Sequence, residues 1–242
     1  MVPNPRGGGP VIGIGCGSDP AKIERSIKAS GENCVVYRDP KELVADLVSG
    51  KIDAAVRGDM SATKVLPVLK KALGLDKLER CVMLQPAGGK LFFMVPVGVD
   101  EGWTVDEKYD LATKTVALMK DMGMDARIAV LSGGRNEDAG RHPSVDRSLE
   151  DAKLLTNRLV SAGYRAYDAQ ILLEMAALEA NLLVVPDGTV GNLIFRALHF
   201  LGGAAAIGAP VVNADVVFVD TSRVKEDYSD SIELAVRLAE GR

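Results

Sequence analysis

The stretch PDGTVGN, residues 186–192, places an acid, two glycines and an amide between two apolar runs. Gly188 and Gly191 allow the backbone to approach another group closely, and the start of a helix offers free N–H groups to an anion. Asp187, Gly191 and Asn192 are therefore candidate ligand-binding residues. The alternative is structural, with Asp187 as a helix cap and the glycines allowing close packing of the helix on a sheet.

A second candidate anion site is RGDMSAT, residues 57–63, which follows the apolar run IDAAV. Arg57 would end a strand, and Ser61 and Thr63 would open a helix whose N-terminus carries partial positive charge. These three side chains could bind a phosphate or a carboxylate. The alternative is a capped helix with Arg57 in a surface ion pair.

The loop SGGRNEDAGRH, residues 132–142, combines a serine, a glycine pair, two arginines and a histidine. Ser132 and Gly133 can bring hydroxyl and amide donors to a ligand, and Arg135 can pair with two phosphate oxygens. A fairly long loop without regular structure often carries function. His142 could act as an acid or base, or it could be a surface residue.

The turn VDTSR, residues 219–223, ends the strongest apolar run in the last quarter of the chain. Ser222 and Arg223 would lie at the end of a strand, where a hydroxyl and a guanidinium can hold an oxyanion. Taken alone, this turn does not identify a ligand.

The segment GIGCGSDP, residues 13–20, begins as a dinucleotide-binding loop does. It lacks the last glycine of GxGxxG, and no acid ends the next expected strand. We therefore favour a helix cap by Ser18 or Asp19, with Pro20 as the first helical residue, over NAD binding.

Short β-rich runs alternate with amphipathic runs along the chain. The expected strands are residues 10–15, 33–37, 52–56, 127–132, 182–185 and 215–220. The expected helices, with apolar residues three and four apart, are residues 21–30, 40–50, 61–74, 105–122, 144–163, 168–180 and 229–241. This alternation predicts an α/β fold with a mostly parallel sheet. Ligands of such sheets bind beyond the carboxyl ends of the strands, where the turns described above fall.

The segment KLFFMVPV, residues 90–97, interrupts this pattern. It predicts a strand that is antiparallel or at a sheet edge and that ends at Pro96. The glycines and prolines around it indicate a passage between two lobes, so we expect a boundary near residue 86.

Composition narrows the class of function. The 242 residues are 47% hydrophobic and 26% charged, with a formal net charge of −4. These values are typical of a globular protein and unlike the basic field of a nucleic-acid-binding protein. Three separated cysteines and two histidines predict reduced thiols and no metal site. We expect no signal peptide and no membrane span, and hence a cytoplasmic location.

The C-terminal signature of phosphate acetyltransferases and phosphate butyryltransferases resembles the stretch PDGTVGNLIFRALHFLGGAAAIGAPVVNADVVFVDTSR. DGTVGN also resembles the matching segment of PlsX-type phosphate acyltransferases. Further segments of these families are similar to GKIDAAVRGDMSATKVLPVLKKALG and ARIAVLSGGR. The resemblance implies two α/β lobes of the isopropylmalate-dehydrogenase-like fold, an active site in the cleft between them, and usually a homodimer. We expect residues 1–86 plus 205–242 in the first lobe and residues 87–204 in the second.

The resemblance also implies residue roles. Ser222 and Arg223 match the pair that serves the reaction of a thiol with an acyl phosphate in the acetyltransferases. The acid that completes this site would be Asp230, with Asp227 as the alternative, and Val224 stands where the family has a glycine. The implied ligand contains phosphate or CoA.

The whole chain resembles the MtxX family of methanogen marker proteins, which are named as methyltransferase subunits. The sequence has neither an S-adenosylmethionine loop with its acidic partner nor the cobalamin motif DxHxxG. Three hypotheses follow. The protein is a transferase that binds a phosphate or a CoA-linked acyl group, a subunit of a methyl-transfer assembly in methanogenesis with other methyltransferase subunits as partners, or a non-catalytic ligand sensor.

Overall fold

The computed structural model describes residues 9–241, which form two compact α/β units. Unit 1 comprises residues 9–78 and 208–241, and unit 2 comprises Glu79–Ile207. The lobe bounds expected from the sequence stay a prediction, and residues 1–8 and 242 of the expected first lobe lie outside the described residues. No helix within residues 9–241 combines the length and apolar character needed to cross a membrane.

The described residues form strands and helices in alternation. The strands are β1 (Ile12–Gly15), β2 (Cys34–Tyr37), β3 (Ala54–Val56), β4 (Val82–Gln85), β5 (Phe92–Val95), β6 (Ile128–Leu131), β7 (Ala166–Gln170), β8 (Leu182–Val184), β9 (Ala205–Pro210) and β10 (Val217–Asp220). The helices are α1 (Pro20–Ser30), α2 (Pro40–Val48), α3 (Ala62–Ala72), α4 (Val105–Asp121), α5 (Pro143–Ser161), α6 (Leu173–Glu179), α7 (Gly188–Arg196) and α8 (Ser229–Glu240). A π-helical turn, Ala197–Leu201, continues α7.

The sheet of unit 1 has the strand order β2-β1-β3-β10-β9. The first four strands are parallel, and β9 joins β10 in the antiparallel direction. The fully buried side chains of Leu43, Leu69 and Phe218 belong to the apolar core of this unit. Because β1, β3 and β10 are parallel neighbours, their carboxyl ends and the loops that follow them lie at one edge of the sheet.

The sheet of unit 2 has the strand order β4-β5-β8-β6-β7. Strand β4 is antiparallel to β5, and the other four strands are parallel. Of the two alternatives expected for β5, the structure confirms the antiparallel one, through β4. Strand β5 is not at an edge, because it lies between β4 and β8 and is completely buried. The α/β fold with mostly parallel strands is confirmed.

Helix caps fix where the helices begin. The Asp19 carboxylate accepts a hydrogen bond from the Lys22 amide at 2.9 Å, and Pro20 is the first residue of α1. This contact confirms the expected cap. Thr104 and Glu107 form a reciprocal capping box at the start of α4, an arrangement that satisfies two otherwise unpaired backbone donors.

The sequence interpretation misassigns one segment and does not include two of the strands. A helix is expected over residues 168–180, but the structure has β7 up to Gln170 and a shorter helix, α6, from Leu173. Within residues 9–241, β7 pairs only with β6, and Ala169 is its one buried residue. An edge strand of this kind does not need the continuous apolar run of a central strand. The helical spacing of apolar residues in α6 continues into the end of β7, which is why the sequence predicts one helix over both. Strands β4 and β9 are also absent from the expected set.

Candidate functional site

Buried side chains tie together the loops after β3 and β10 in unit 1. The Arg57 guanidinium donates from Nε to the Asp220 carboxylate and from Nη1 to the Met60 carbonyl, the latter at 2.5 Å. The Thr221 hydroxyl donates to the Gly58 carbonyl at 2.8 Å. Arg57 is 5% exposed, so its ion pair is buried rather than at the surface. These contacts give Arg57 a role in the framework, and its role in ligand binding stays a prediction.

A carboxylate fills the loop between β1 and α1. Asp59 accepts hydrogen bonds from the backbone amides of Gly17, Ser18 and Asp19, at 2.5, 2.8 and 2.9 Å. Successive amides that converge in this way form a concave site for an anion. Burial alone would raise the pKa of Asp59, but the three amide donors outweigh it and hold the pKa below its usual value. The loop that begins like a dinucleotide loop is thus occupied by the protein's own anion.

Several polar groups remain accessible at the same edge of unit 1. Ser61 precedes α3 without capping it, and its hydroxyl lies 2.7 Å from that of Thr63. Ser222 is half-buried and Arg223 is exposed directly beyond β10. We call the loops 16–19, 57–61 and 221–223 together the unit-1 platform. The structure therefore places three of the expected site residues, Ser61, Ser222 and Arg223, on adjacent loops of one unit, with Thr63 in the first turn of α3 beside them.

Both acids considered as the general base make contacts at the start of α8. Asp230 lies 2.5 Å from the Lys225 ammonium. Asp227 accepts from the amide and the hydroxyl of Ser229, at 2.9 and 2.8 Å. Burial lowers the pKa of Lys225, and the Asp230 carboxylate opposes this shift. Each acid thus has a structural partner, and the proposed base role of Asp230 stays a prediction.

The two glycines of α7 face the backbone of the loop after β5. A Cβ atom on Gly188 would overlap the carbonyl oxygen of Gly98, and one on Gly191 would overlap that of Pro96. Neither glycine could carry a side chain without displacing this backbone. Close packing therefore accounts for both glycines, as in the structural alternative expected from the sequence, but the helix packs on the loop after β5 and not on a sheet.

The polar residues beside these glycines also contact the protein itself. The Asp187 carboxylate accepts from the Val190 amide at 2.9 Å and caps α7. The Asn192 side-chain amide donates to the Val97 carbonyl at 3.2 Å. Gly188, Gly191 and Asn192 thus hold α7 against the loop after β5, and Asp187 fixes where α7 begins. Ligand binding by Asp187, Gly191 and Asn192 remains a prediction beside this role.

The loop after β6 is organised by its own contacts. The buried Ser132 hydroxyl donates to the Gly134 carbonyl at 2.9 Å, and the Gly133 amide donates to the Ser148 hydroxyl at 2.8 Å. His142 caps α5, accepting at Nδ1 from the Ser144 amide at 3.2 Å. Arg135 is exposed, which leaves its side chain as the most accessible of the three candidates in this loop.

Unit 2 also contains a cavity that the sequence interpretation missed. We call it the unit-2 cavity; it has a volume of about 490 Å³, and its lining includes Trp103, Lys108, Arg147, Asp151 and Asp187. The Lys108 ammonium is buried and donates to the Asp151 carboxylate at 3.1 Å and to the Pro186 carbonyl at 3.2 Å. Arg147 and Asp151 are four residues apart on α5, a spacing that places them on one face. Their meeting with Lys108 of α4 depends on tertiary packing that the sequence pattern does not reveal.

The buried acid Glu101 contacts both the loop after β5 and the first residue of α7. Its carboxylate accepts from the amides of Val97 and Gly98, at 3.3 and 3.1 Å, and lies 3.7 Å from the Arg80 guanidinium. Its backbone carbonyl accepts from the Gly188 amide at 3.0 Å. Burial raises the pKa of Glu101, and Arg80 and the two amides oppose this shift.

Cysteines and possible metal ligands are dispersed. Cys16 and Cys81 are buried and Cys34 is half-buried, and all three are free thiols. Burial raises the pKa of Cys34 to about 11, so this thiol is protonated at neutral pH. Among residues 9–241, no group of three or more His, Cys, Asp or Glu side chains could hold a metal ion.

Relatives of known name match most of the chain, although no family model matches it. A protein of Methanosarcina mazei named "Putative methyltransferase mtx subunit X" is 42% identical over 87% of this chain and 75% of its own length. An uncharacterized methyltransferase of Methanocaldococcus jannaschii is 31% identical over 93% of this chain and 96% of its own. A phosphate acetyltransferase of Rickettsia prowazekii is 26% identical, over 72% of this chain and 57% of its own.

Solved structures show the same fold. A branched-chain phosphotransacylase from Enterococcus faecalis has a TM-score of 0.74 at 20% identity, over 95% of this chain and 98% of its own. A phosphotransacetylase from Staphylococcus aureus has a TM-score of 0.66 at 14% identity, over 97% and 94% of the two chains. These likenesses place the fold among the phosphotransacetylases. The identity to the methanogen proteins goes further, and the chain belongs to the family named putative methyltransferase mtx subunit X.

Proposed function

We propose that the protein is a phosphotransacylase-like transferase that binds a phosphate or a CoA-linked acyl group at the unit-1 platform. The observation that carries this proposal is the exposed Arg223 beside Ser222, at the carboxyl end of β10. The fold shared with phosphotransacylases supports it, as does the position of the pair, since ligands of parallel sheets bind at this edge.

The platform suits an anion because its framework is fixed before a ligand arrives. The Arg57–Asp220 ion pair and the Asp59 contacts hold three loops in place. Because the loops are already ordered, binding of phosphate has to order only the Arg223 side chain and not the backbone that carries it. Ser61 and Thr63 add hydroxyl donors at the start of α3, where the helix carries partial positive charge.

The proposed reaction joins a thiol to an acyl phosphate. The thiolate sulfur attacks the acyl carbonyl carbon, the C–S bond forms, and the C–O bond to phosphate breaks. The phosphate leaves with the electron pair of that bond, and the thiol proton passes to a base, for which Asp230 is the candidate. Arg223 would stabilise the departing phosphate; one such donor contributes about 3–4 kcal/mol to lowering a barrier.

Calorimetric titration with phosphate, acetyl phosphate and CoA tests the binding step. We expect heat of binding for at least one of these ligands, and an affinity about tenfold or more lower for Arg223→Ala, because a charge-assisted hydrogen bond is lost. Arg25→Ala is the matched control, because Arg25 is an exposed arginine on α1 of the same unit. No heat and no rise in melting temperature with any ligand would refute the proposal, as would equal losses in the two variants.

The names of the relatives favour a second candidate function, a subunit of a methyl-transfer assembly. It predicts that the tagged protein co-purifies from a methanogen with corrinoid or pterin methyltransferase subunits. A purification that recovers none of them would count heavily against it.

A ligand sensor on the same fold is distinguished from a transferase by turnover. It predicts binding of phosphate or CoA without acyl transfer in an assay of several acyl phosphates. The contacts of Asp227 and Asp230 at the start of α8 favour this alternative, since each carboxylate already has a partner. A homodimer and a cytoplasmic location remain expectations under all three hypotheses.

A further inference from the structure

One wall of the unit-2 cavity is flat, apolar and held in place. The Trp103 side chain lines the cavity and is 57% exposed. Its indole Nε1 donates to the Val99 carbonyl at 3.1 Å, which fixes the orientation of the ring. Pro143 and Pro186 also line the cavity. A ring compound would gain stacking and dispersion contacts on such a wall, and the indole would lose little freedom on binding.

Two cationic side chains, Lys108 and Arg147, line the cavity together with Asp151 and Asp187. Asp151 is engaged by the Lys108 ammonium, and Asp187 by the Val190 amide. Arg147, by contrast, is exposed at the cavity. The first turn of α5 contributes Pro143 and Ser144 to the lining. Its amides are already bonded to His142, so the donor that this turn can offer to a ligand is the Ser144 hydroxyl.

We propose that the unit-2 cavity binds a phosphate ester of a ring compound, such as a nucleoside monophosphate. The ring lies against Trp103, and the phosphate meets Arg147 and the Ser144 hydroxyl. Two of the three Lys108 ammonium donors are used by Asp151 and Pro186, and the third is available to the ligand. The volume of about 490 Å³ falls within the range of about 300–1,000 Å³ that is usual for small-molecule sites. This inference does not depend on acyl transfer at the unit-1 platform.

The single tryptophan of the chain makes the test direct. Trp103 is the only tryptophan among the 242 residues, so intrinsic fluorescence reports on this wall alone. Titration with AMP is expected to change the fluorescence in a saturable way. Adenosine tests the ring without the phosphate, and inorganic phosphate tests the anion without the ring; each is expected to bind at least about tenfold more weakly than AMP. Excitation at the red edge of the indole absorption limits interference by adenine.

Two variants with one control locate the site. Arg147→Gln is expected to weaken AMP binding about tenfold or more, because it removes a charged partner of the phosphate. Trp103→Leu, followed by calorimetry, is expected to weaken AMP but not inorganic phosphate. Arg165→Gln, at another exposed arginine of unit 2, is expected to leave all affinities unchanged.

Three results would overturn the proposal. The first is no saturable change in fluorescence and no heat with AMP up to about 10 mM, which is beyond useful small-molecule affinity. The second is equal binding of AMP and adenosine, since the phosphate would then make no contribution. The third is an equal loss in Arg147→Gln and Arg165→Gln, which would place binding outside the cavity.

Discussion

Removal of the Asp59 carboxylate tests whether the stability of unit 1 depends on the anionic side chain that binds the amides of the β1–α1 loop. This carboxylate accepts from three consecutive backbone amides of the loop between β1 and α1, at 2.5–2.9 Å. Asp59 is 3% exposed, whereas Gly17 and Ser18 are exposed. Asp59→Ala would leave three amide donors without their acceptor, and water could replace it for only part of this set.

The expected cost follows from the number of hydrogen bonds and their exposure. A hydrogen bond to a charged group contributes about 1.5–3 kcal/mol, and an unpaired buried donor costs a similar amount. Because water can reach two of the three amides, we expect Asp59→Ala to lower the free energy of unfolding by about 2–4 kcal/mol, less than the full sum. Asp59→Asn keeps one acceptor oxygen and should lose about half as much.

Two measurements check this expectation. Urea unfolding followed by circular dichroism gives the change in free energy, and hydrogen exchange of a peptide over residues 12–23 gives the local effect. Asp39→Ala is the control, because the Asp39 carboxylate is exposed and accepts from a single amide, that of Lys41, at 2.7 Å. Loss of such a cap costs about 1 kcal/mol.

The same carboxylate predicts a dependence on pH. Its pKa is lowered in the folded state, so its contribution is complete above the unfolded pKa of about 3.9 and is lost as the pH falls through the folded value. Asp59→Asn should therefore lose less stability than the unchanged protein over this acidic range. Equal effects of Asp59→Ala and Asp39→Ala at neutral pH, together with unchanged exchange of the loop amides, would refute the reasoning.

Two further predictions concern the packing of unit 2. Gly191→Ala should lower the free energy of unfolding, measured with urea, by about 3 kcal/mol or more, because its methyl group meets the backbone oxygen of Pro96. Gly133→Ala is the control and should show no comparable loss, because its methyl group would lie 3.4 Å from its nearest neighbour. Burial raises the pKa of Glu101, so stability should fall as the pH rises from the unfolded value of about 4.3 through the folded value. Glu101→Gln should remove this fall in urea unfolding followed by Trp103 fluorescence, and a variant with the same pH dependence as the unchanged protein would contradict the prediction.

The pattern of the sequence was sufficient for most of the fold because helices and parallel strands leave clear periodicities. Helix α5, expected over residues 144–163, is observed at Pro143–Ser161. The pattern failed at β7, where an edge strand buries one side chain well and its residues merge with the apolar spacing of α6. An edge strand is specified by its neighbour more than by its own composition, so a single sequence carries little signal for it.

The sequence also identified the loops that carry polar groups, but not what those groups contact. Arg57 and Asp59 stand two residues apart in one motif. In the structure the Arg57 guanidinium donates to Asp220, which is 163 positions away in the sequence, and the Asp59 carboxylate accepts from amides of the loop after β1. Long-range partners of this kind leave no local pattern. For the same reason the sequence pattern does not show that Lys108 and Arg147 line one cavity.

These contacts change how a polar residue at a strand end should be interpreted. At such a position a polar side chain can bind a ligand, or it can occupy the place that a ligand would take. The residue types at the strand end are the same in both cases, so the sequence does not distinguish them. Asp59 supplies the anion that a phosphate would otherwise bring to the amides of the β1–α1 loop, and the glycines of α7 closely approach backbone at a turn where the sequence predicts a ligand. Among the groups that remain accessible, the exposed guanidinium groups of Arg223 in unit 1 and of Arg135 and Arg147 in unit 2 are therefore the first candidates for contact with an anionic ligand.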